Sequence, residues 1–177
     1  MRFFTLEIYH AFDRSVDGDE GLLELTTALH SYQQHVETLT AILGPHLFTL
    51  SGAFLIDDAL VARAKLDTVN GTLEPTLRCG NLQVGYFDVA LRYEDVEIDP
   101  RDVMTLSQVA RGTKSHRRFD FDAYAHELDV TEGGRIEHSI LFHPGVEFTL
   151  RCRRLTWTRT DRRDRQLPRL KDRFVVS

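Results

Sequence analysis

Residues 122–152, DAYAHELDVTEGGRIEHSILFHPGVEFTLRC, admit one strand register. A three-residue loop at Gly133-Gly134 sets Val130 opposite Ile136, Leu128 opposite His138, His126 opposite Ile140 and Tyr124 opposite Phe142. A second three-residue loop, His143-Pro144-Gly145, sets Phe142 opposite Val146, Ile140 opposite Phe148, His138 opposite Leu150 and Ile136 opposite Cys152. Side chains alternate along a strand, so the apolar residues of all three strands then share one face. Glu127, Asp129, Glu137 and Glu147 take the other. A slip of one residue would scatter the apolar set across both faces. A chain with this segment is committed to an antiparallel meander.

More of the same pattern lies upstream. LVARAKLDTV and TLEPTLRC flank Asn70-Gly71, which reads as a two-residue turn placing Thr68 opposite Leu73, Leu66 opposite Pro75, Ala64 opposite Leu77 and Ala62 opposite Cys79. Pro75 has no N–H for a ladder and argues for a sheet edge. VGYFDVALRYEDVEI follows as a strand with Phe87, Val89, Leu91 and Tyr93 on one face. The helical signals lie elsewhere. Thr5 caps a short first helix, and Leu22, Leu25, Leu29, Tyr32, Val36, Leu39 and Leu43 recur at 3-4-3-4-3-4 spacing, with Gly44-Pro45 as the stop. That stripe suits either a helix packed on the sheet or a coiled-coil seam, and packing within the chain is the reading adopted. Asp99, Pro100 and Gly112 mark the cap, first residue and end of a connecting helix. Residues 46–58 remain ambiguous between helix and strand.

The predicted architecture is α+β in a single domain, residues 1–177. Residues 1–45 form a helical part that packs on a curved, mainly antiparallel sheet (59–98 and 120–158), with the geometry of a half-open barrel as one option. Residues 99–112 form the connecting helix, and 159–177 a basic C-terminal tail that is extended. No apolar run approaches the ~18–20 residues that span a bilayer. The opening MRFFTLEIYHAFD lacks the features of a secretion signal. Cys79 and Cys152, without CxxC spacing, read as thiols of a reducing compartment, so the expected location is the cytoplasm. The net charge of −5 is unevenly spread. Residues 1–150 carry 12 Lys/Arg against 24 Asp/Glu, whereas residues 151–177 carry 10 Lys/Arg against 3 Asp. A basic tail lying on an acidic body explains this split. Its arginines are interrupted by aspartates and lack interleaved aromatics, which argues against a nucleic-acid contact.

Candidate chemistry is sparse. His126 and His138 share the apolar face as diagonal neighbours, roughly 7–8 Å apart at the backbone. Zinc needs a third and usually a fourth ligand, and with Cys152 the spacing matches no zinc pattern. Buried, hydrogen-bonded imidazoles are the plain reading, and a ligand pocket formed by Tyr124, His126 and His138 is the alternative. Ser115-His116 are adjacent in a polar loop and cannot pair as nucleophile and base on their own. Asp57-Asp58 read as a turn or cap, with cation binding or base chemistry as the alternative. The glycines around Gly71, Gly80 and Gly85 match no phosphate-binding loop. No metal or cofactor is implied, and no catalytic residue is assigned.

The opening, with Met1, Arg2, Phe3, Phe4, Thr5, Glu7 and Tyr9, resembles the start of a family of uncharacterised bacterial proteins of similar length. Asp58 and Ala59 match the same family's Leu-His-Asp-Ala motif, but Asp57 stands where the histidine would be. The resemblance covers about two thirds of the chain and implies an α+β fold with no assigned activity. Together these features lead to a small cytosolic bacterial protein that works by binding another protein or a second copy of itself, as regulatory and immunity proteins do. Leu29 and Val36 of the helical stripe are the expected contacts. A small-molecule or hydrolytic domain around Tyr124, His126 and His138 is the first alternative, and nucleic-acid contact through the basic tail the second.

Overall fold

A computed structural model describes residues 1–14, 19–52, 55–81, 85–111, 122–162 and 174–177. In chain order these form α1 (Leu6–Arg14), α2 (Asp19–Leu50), β1 (Ala59–Asp67), β2 (Thr72–Asn81), β3 (Gly85–Glu94), α3 (Pro100–Arg111), β4 (Asp122–Val130), β5 (Ile136–Phe142), β6 (Val146–Cys152), β7 (Arg154–Arg162) and β8 (Phe174–Val176). The arrangement is α+β with a mainly antiparallel sheet ordered β6-β5-β4-β1-β2-β3-β7, and β8 pairs in parallel with β1. The edge strands β6 and β7 are consecutive in the chain, separated only by Arg153, so the sheet curls until its edges approach. An isolated bridge between Glu97 and Arg151 and the Arg153 amide on the Glu94 carbonyl (3.0 Å) tie the end of β6 to the end of β3, beside the start of β7. The sheet does not close into a barrel.

The β4-β5-β6 register is the expected one from Val130↔Ile136 through Phe142↔Val146 to Ile136↔Cys152, with one exception. Phe142 lies opposite Ala123, not Tyr124, because a bulge between Ala123 and Ala125 absorbs one residue. The bulge turns Tyr124 out of the core that holds Ala123 and into a second cluster. The Asn70-Gly71 hairpin also departs from expectation: Leu66 faces Leu73 and Asp67 faces Thr72. Asp67 takes the amides of Val69 (3.1 Å) and Asn70 (2.9 Å), widening the connection, and Gly71 adopts φ +59. The shift is two residues, so the side chains from Arg63 to Asp67 keep their faces, while a bulge between Val61 and Arg63 puts Val61 in the core where Ala62 was expected. Pro75 does not mark an edge, since β2 lies between β1 and β3. The β2-β3 pairing instead lapses there, running from Leu73↔Tyr93 directly to Thr76↔Ala90.

Gly44 (φ 70, ψ 167) breaks α2 but does not end it, and helix resumes from Pro45 to Leu50, so the ambiguous stretch 46–58 begins as helix and ends as a turn at 55–58. Beyond the kink, Leu47 and Leu50 join Leu43 in the main core with Ile56, Leu73, Leu77, Tyr93, Leu106, Phe148 and Leu150. Before it, Leu25, Ala28, Tyr32 and Val36 pack with Phe4 and Ala125 on the opposite face of β4. Strand β4 is therefore covered on both faces, and Glu127, expected on a solvated face, is 6% exposed. Its carboxylate accepts the amides of Arg2 (2.8 Å), Phe3 (2.7 Å) and Phe4 (2.6 Å). Asp129 likewise meets His35 of α2 (3.0 Å). Thr5 caps α1 as expected, its Oγ1 accepting the Ile8 amide (3.4 Å). Asp99 caps α3, while the Gly112 stop, Ser115 and His116 lie outside the described residues. The C-terminal residues are not a simple tail: β7 runs to Arg162, and residues 174–176 pair with Ala64, Lys65 and Leu66.

Candidate functional site

His126 and His138 are 0% and 1% exposed and face each other, Nδ1 of His126 lying 3.1 Å from Nε2 of His138. The outer nitrogens are engaged as well. His126 Nε2 lies 3.1 Å from the Gly52 carbonyl, and His138 Nδ1 lies 2.7 Å from the Tyr93 hydroxyl. These partners fix every proton. A carbonyl only accepts, so His126 Nε2 carries hydrogen, and the Nδ1 of the neutral ring accepts. His138 Nε2 must then donate, and its Nδ1 accepts from the Tyr93 O–H. The result is a directed chain of donors, Tyr93 to His138 to His126 to Gly52, with both rings neutral. Burial lowers the His126 pKa to about 4, and burial followed by the neighbouring ring holds His138 well below the usual range. Burial keeps Tyr93 protonated far above its ordinary range.

Chemically, this arrangement orients rather than reacts. Proton transfer needs a group that can meet substrate, and neither ring reaches solvent. Tyr124 is not part of the set: it packs edge-on against Tyr9 (4.8 Å), whose hydroxyl is hydrogen-bonded to His143. The three residues expected to share a pocket are thus split between the two sides of β4. Cys152 is buried and free like Cys79, and burial raises both thiols to about 12, outside the range of reactive cysteines. Among the described residues no group of three or more His, Cys, Asp or Glu side chains could hold a metal ion.

The open concavity lies on the other side of Gly52. A groove of about 540 Å³ runs along α2, lined by Thr26, Leu29, His30, Tyr32, Gln33 and Val36, with Phe48, Ser51 and Gly52 beyond the kink. The helical stripe explains it. Seven apolar positions make a band wider than the body covers, so Leu25, Tyr32 and Leu43 are buried while Leu22 is 53% exposed and Leu29 half-buried. Leu22, Thr26, Leu29, Gln33 and Val36 follow a 4-3-4-3 spacing and share one helix face. Leu29 is accessible along this face, whereas Val36, at 4% exposure, is chiefly core. Gly52 both forms part of the groove and accepts the His126 Nε2–H hydrogen bond on its carbonyl, so the histidine relay pins one wall of the groove.

Two polar clusters complete the picture. Asp57, Asp58 and Asp122 adjoin one another beside His143. Burial, then Asp58, raises the Asp57 carboxyl to about 6, and burial raises Asp122. Asp57 and Asp58 nonetheless lie in a turn, as expected, with the Asp58 amide donating to Asp57 Oδ1 (3.1 Å). Second, Arg78 and Asp88, opposite each other on β2 and β3, are buried at 7% and 5% exposure. Arg78 Nε donates to Asp88 at 2.5 Å and Arg162 Nε at 2.6 Å. Burial opposes the Asp88 charge, but the two guanidiniums outweigh it and hold the carboxyl below its usual range. The sequence reading missed Tyr93 and this triad. A tyrosine at an apolar strand position needs a partner for its hydroxyl, and that was the available signal.

Comparison with models of known families, with curated proteins and with solved structures found no match. Among the described residues no helix is long and apolar enough to cross a membrane.

Proposed function

We propose that this chain is a binding module that takes an apolar polypeptide segment, an amphipathic helix, in the α2 groove. The observation that carries this reading is that the groove holds the half-buried Leu29 and the exposed Phe48, while Leu22, one helical repeat before Leu29, continues the same helix face at 53% exposure. Helix-in-groove recognition uses anchors at such spacing. The kink at Gly44 and the relay-held Gly52 wall support it, because a wall fixed in advance lowers the ordering cost of binding.

The test uses substitutions that spare the core. Leu22→Asp lies on the groove face and Ile42→Asp on a separate exposed position (63% exposed), so each should cost less than about 0.5 kcal/mol of stability. Val36→Asp, by contrast, places a charge in the core and should unfold the protein. The tagged protein is used to capture partners from native lysate in high salt, and sedimentation over a concentration range reports self-association. A stoichiometric protein, or a dimer, held by wild type and Ile42→Asp but lost in Leu22→Asp supports the groove. Association that survives Leu22→Asp unchanged refutes it.

A further inference from the structure

The outer face of β1, β2, β3 and β7 carries a second concavity. Pairing aligns Arg63, Thr76, Ala90 and Thr158 in one cross-strand row. Lys65 and Glu74 pair in the adjacent row, as do Arg92 and Thr156. These side chains alternate with the core residues Ala64, Leu77, Leu91 and Leu155, so they share the face away from the core. A recess of about 360 Å³ opens among them, where the β2-β3 pairing lapses at Glu74 and Pro75. Pro75 has no N–H to continue the ladder, and the floor is made of small side chains, Thr76, Ala90, Thr156 and Thr158.

The charges in this recess do not cancel. Arg92 pairs with Glu74 and with Glu94 (3.0 Å), which occupies the recess's one carboxylate. Among the described residues neither Arg63 nor Lys65 forms an ion pair, and the hydroxyls of Thr76, Thr156 and Thr158 make no hydrogen bond. Elsewhere on the sheet Arg78, Arg135, Arg151 and Arg159 each meet a carboxylate. Two cations and three hydroxyl donors therefore converge from β1, β2 and β7 on a space whose one carboxylate, Glu74, is engaged by Arg92, with Asp67 feeling the Lys65 charge from two residues along β1. Donors arriving from several sides suit a tetrahedral oxyanion with three terminal oxygens better than a planar carboxylate. The volume falls in the range of small-ligand sites. Trp157 touches the recess, but its ring stacks on His46 (5.4 Å) and its N–H donates to the His46 carbonyl (2.8 Å), so it is not presented for base stacking.

We propose that this recess binds the phosphoryl group of a small phosphorylated molecule, with Arg63 and Lys65 supplying charge and Thr76, Thr156 and Thr158 supplying hydroxyl donors. The site is separate from the α2 groove, and neither depends on the other.

Trp157 is the chain's one tryptophan and adjoins the recess, so its fluorescence is the readout. The full-length protein is titrated at fixed ionic strength with inorganic phosphate, a sugar monophosphate, acetate and a short single-stranded oligonucleotide. Saturable binding of phosphate and the sugar phosphate, but not acetate, is expected. Arg63→Gln and Lys65→Gln, both on the outer face, should each weaken it by roughly tenfold or more, the scale of a charge-assisted contact. Arg151→Gln, on the far sheet edge, should leave it unchanged. Circular dichroism verifies that each variant folds. Equal response to acetate, absence of saturation, or unchanged affinity in Arg63→Gln and Lys65→Gln overturns the proposal. So does an oligonucleotide that binds far more tightly than the sugar phosphate, which would make the face a nucleic-acid track.

Discussion

Replacing Tyr93, His126 and His138 together, as Tyr93→Phe, His126→Leu and His138→Leu, should remove most of the acid sensitivity of this fold between pH 6.5 and 4. Above pH 6.5 both rings are neutral whether the chain is folded or unfolded, and their contribution to stability is fully present. As pH falls, the unfolded chain takes up protons at the ordinary histidine pKa while the folded chain refuses them. Stability is lost until the folded pKa is reached, which for His126 is about 4. At ~1.36 kcal/mol per unit, His126 alone accounts for a loss on the order of 3 kcal/mol across that window. His138 acts in the same direction. The geometry says why the folded state refuses: an added proton either sets two N–H groups head to head between the rings or turns the Tyr93 hydroxyl away from its acceptor.

The raised carboxyls act with opposite sign. Asp57, shifted up to about 6, contributes stability below its unfolded pKa that is lost as pH rises through 6. It is partly solvated, so its share is smaller than its shift implies. Asp88, held low, loses its contribution only beneath the window. The assay is urea unfolding at constant ionic strength at half-unit steps from pH 7 to 4.5. Wild type should lose at least 2 kcal/mol over this range, by about the His126 arithmetic above, and the triple variant should be nearly flat or slope the other way. The triple variant is chosen because removing all the buried partners together avoids stranding one of them. The Gly52 carbonyl is then left to water, since Gly52 is exposed. Equal slopes in the two proteins would refute the neutral relay.

The ion triad gives a second test. Asp88→Ala leaves Arg78 buried without its carboxylate and should cost about 3–5 kcal/mol, with Asp88→Asn costing less, by urea midpoint at pH 7. Glu127→Ala deprives the amides of Arg2, Phe3 and Phe4 of their acceptor and should cost about 2–3 kcal/mol. Hydrogen exchange at Phe3 and Phe4 should rise with it, while exchange in β5 stays slow; unchanged protection at those amides would show that the carboxylate does not hold the arm.

What the sequence made legible follows from how far each constraint reaches. The β4-β5-β6 register was readable because alternation and two short loops are local, and a slip would have been penalised at every position. The Asn70-Gly71 hairpin failed by two residues because Asp67 competes for the loop amides, a local effect that binary patterning does not weigh. Pro75 misled because a proline in a central strand is tolerated where the ladder can lapse, and only the partner strand shows whether it does. The histidines' faces were legible, but their chemistry was not: Gly52 and Tyr93 arrive from 74 and 45 residues away. Tyr124 was misplaced by a one-residue bulge that alternation cannot reveal. The helix stripe shows the limit most clearly. Its spacing defines an apolar band, but whether Val36 or Leu22 meets solvent depends on how wide a surface the sheet and the N-terminal arm present. Glu127 sets that width by drawing residues 2–4 onto β4 and seating Phe4 against Tyr32 (5.4 Å). An exposed row on α2 is thus the remainder after an intramolecular match. The opening residues thus help to decide which part of the helix is left exposed.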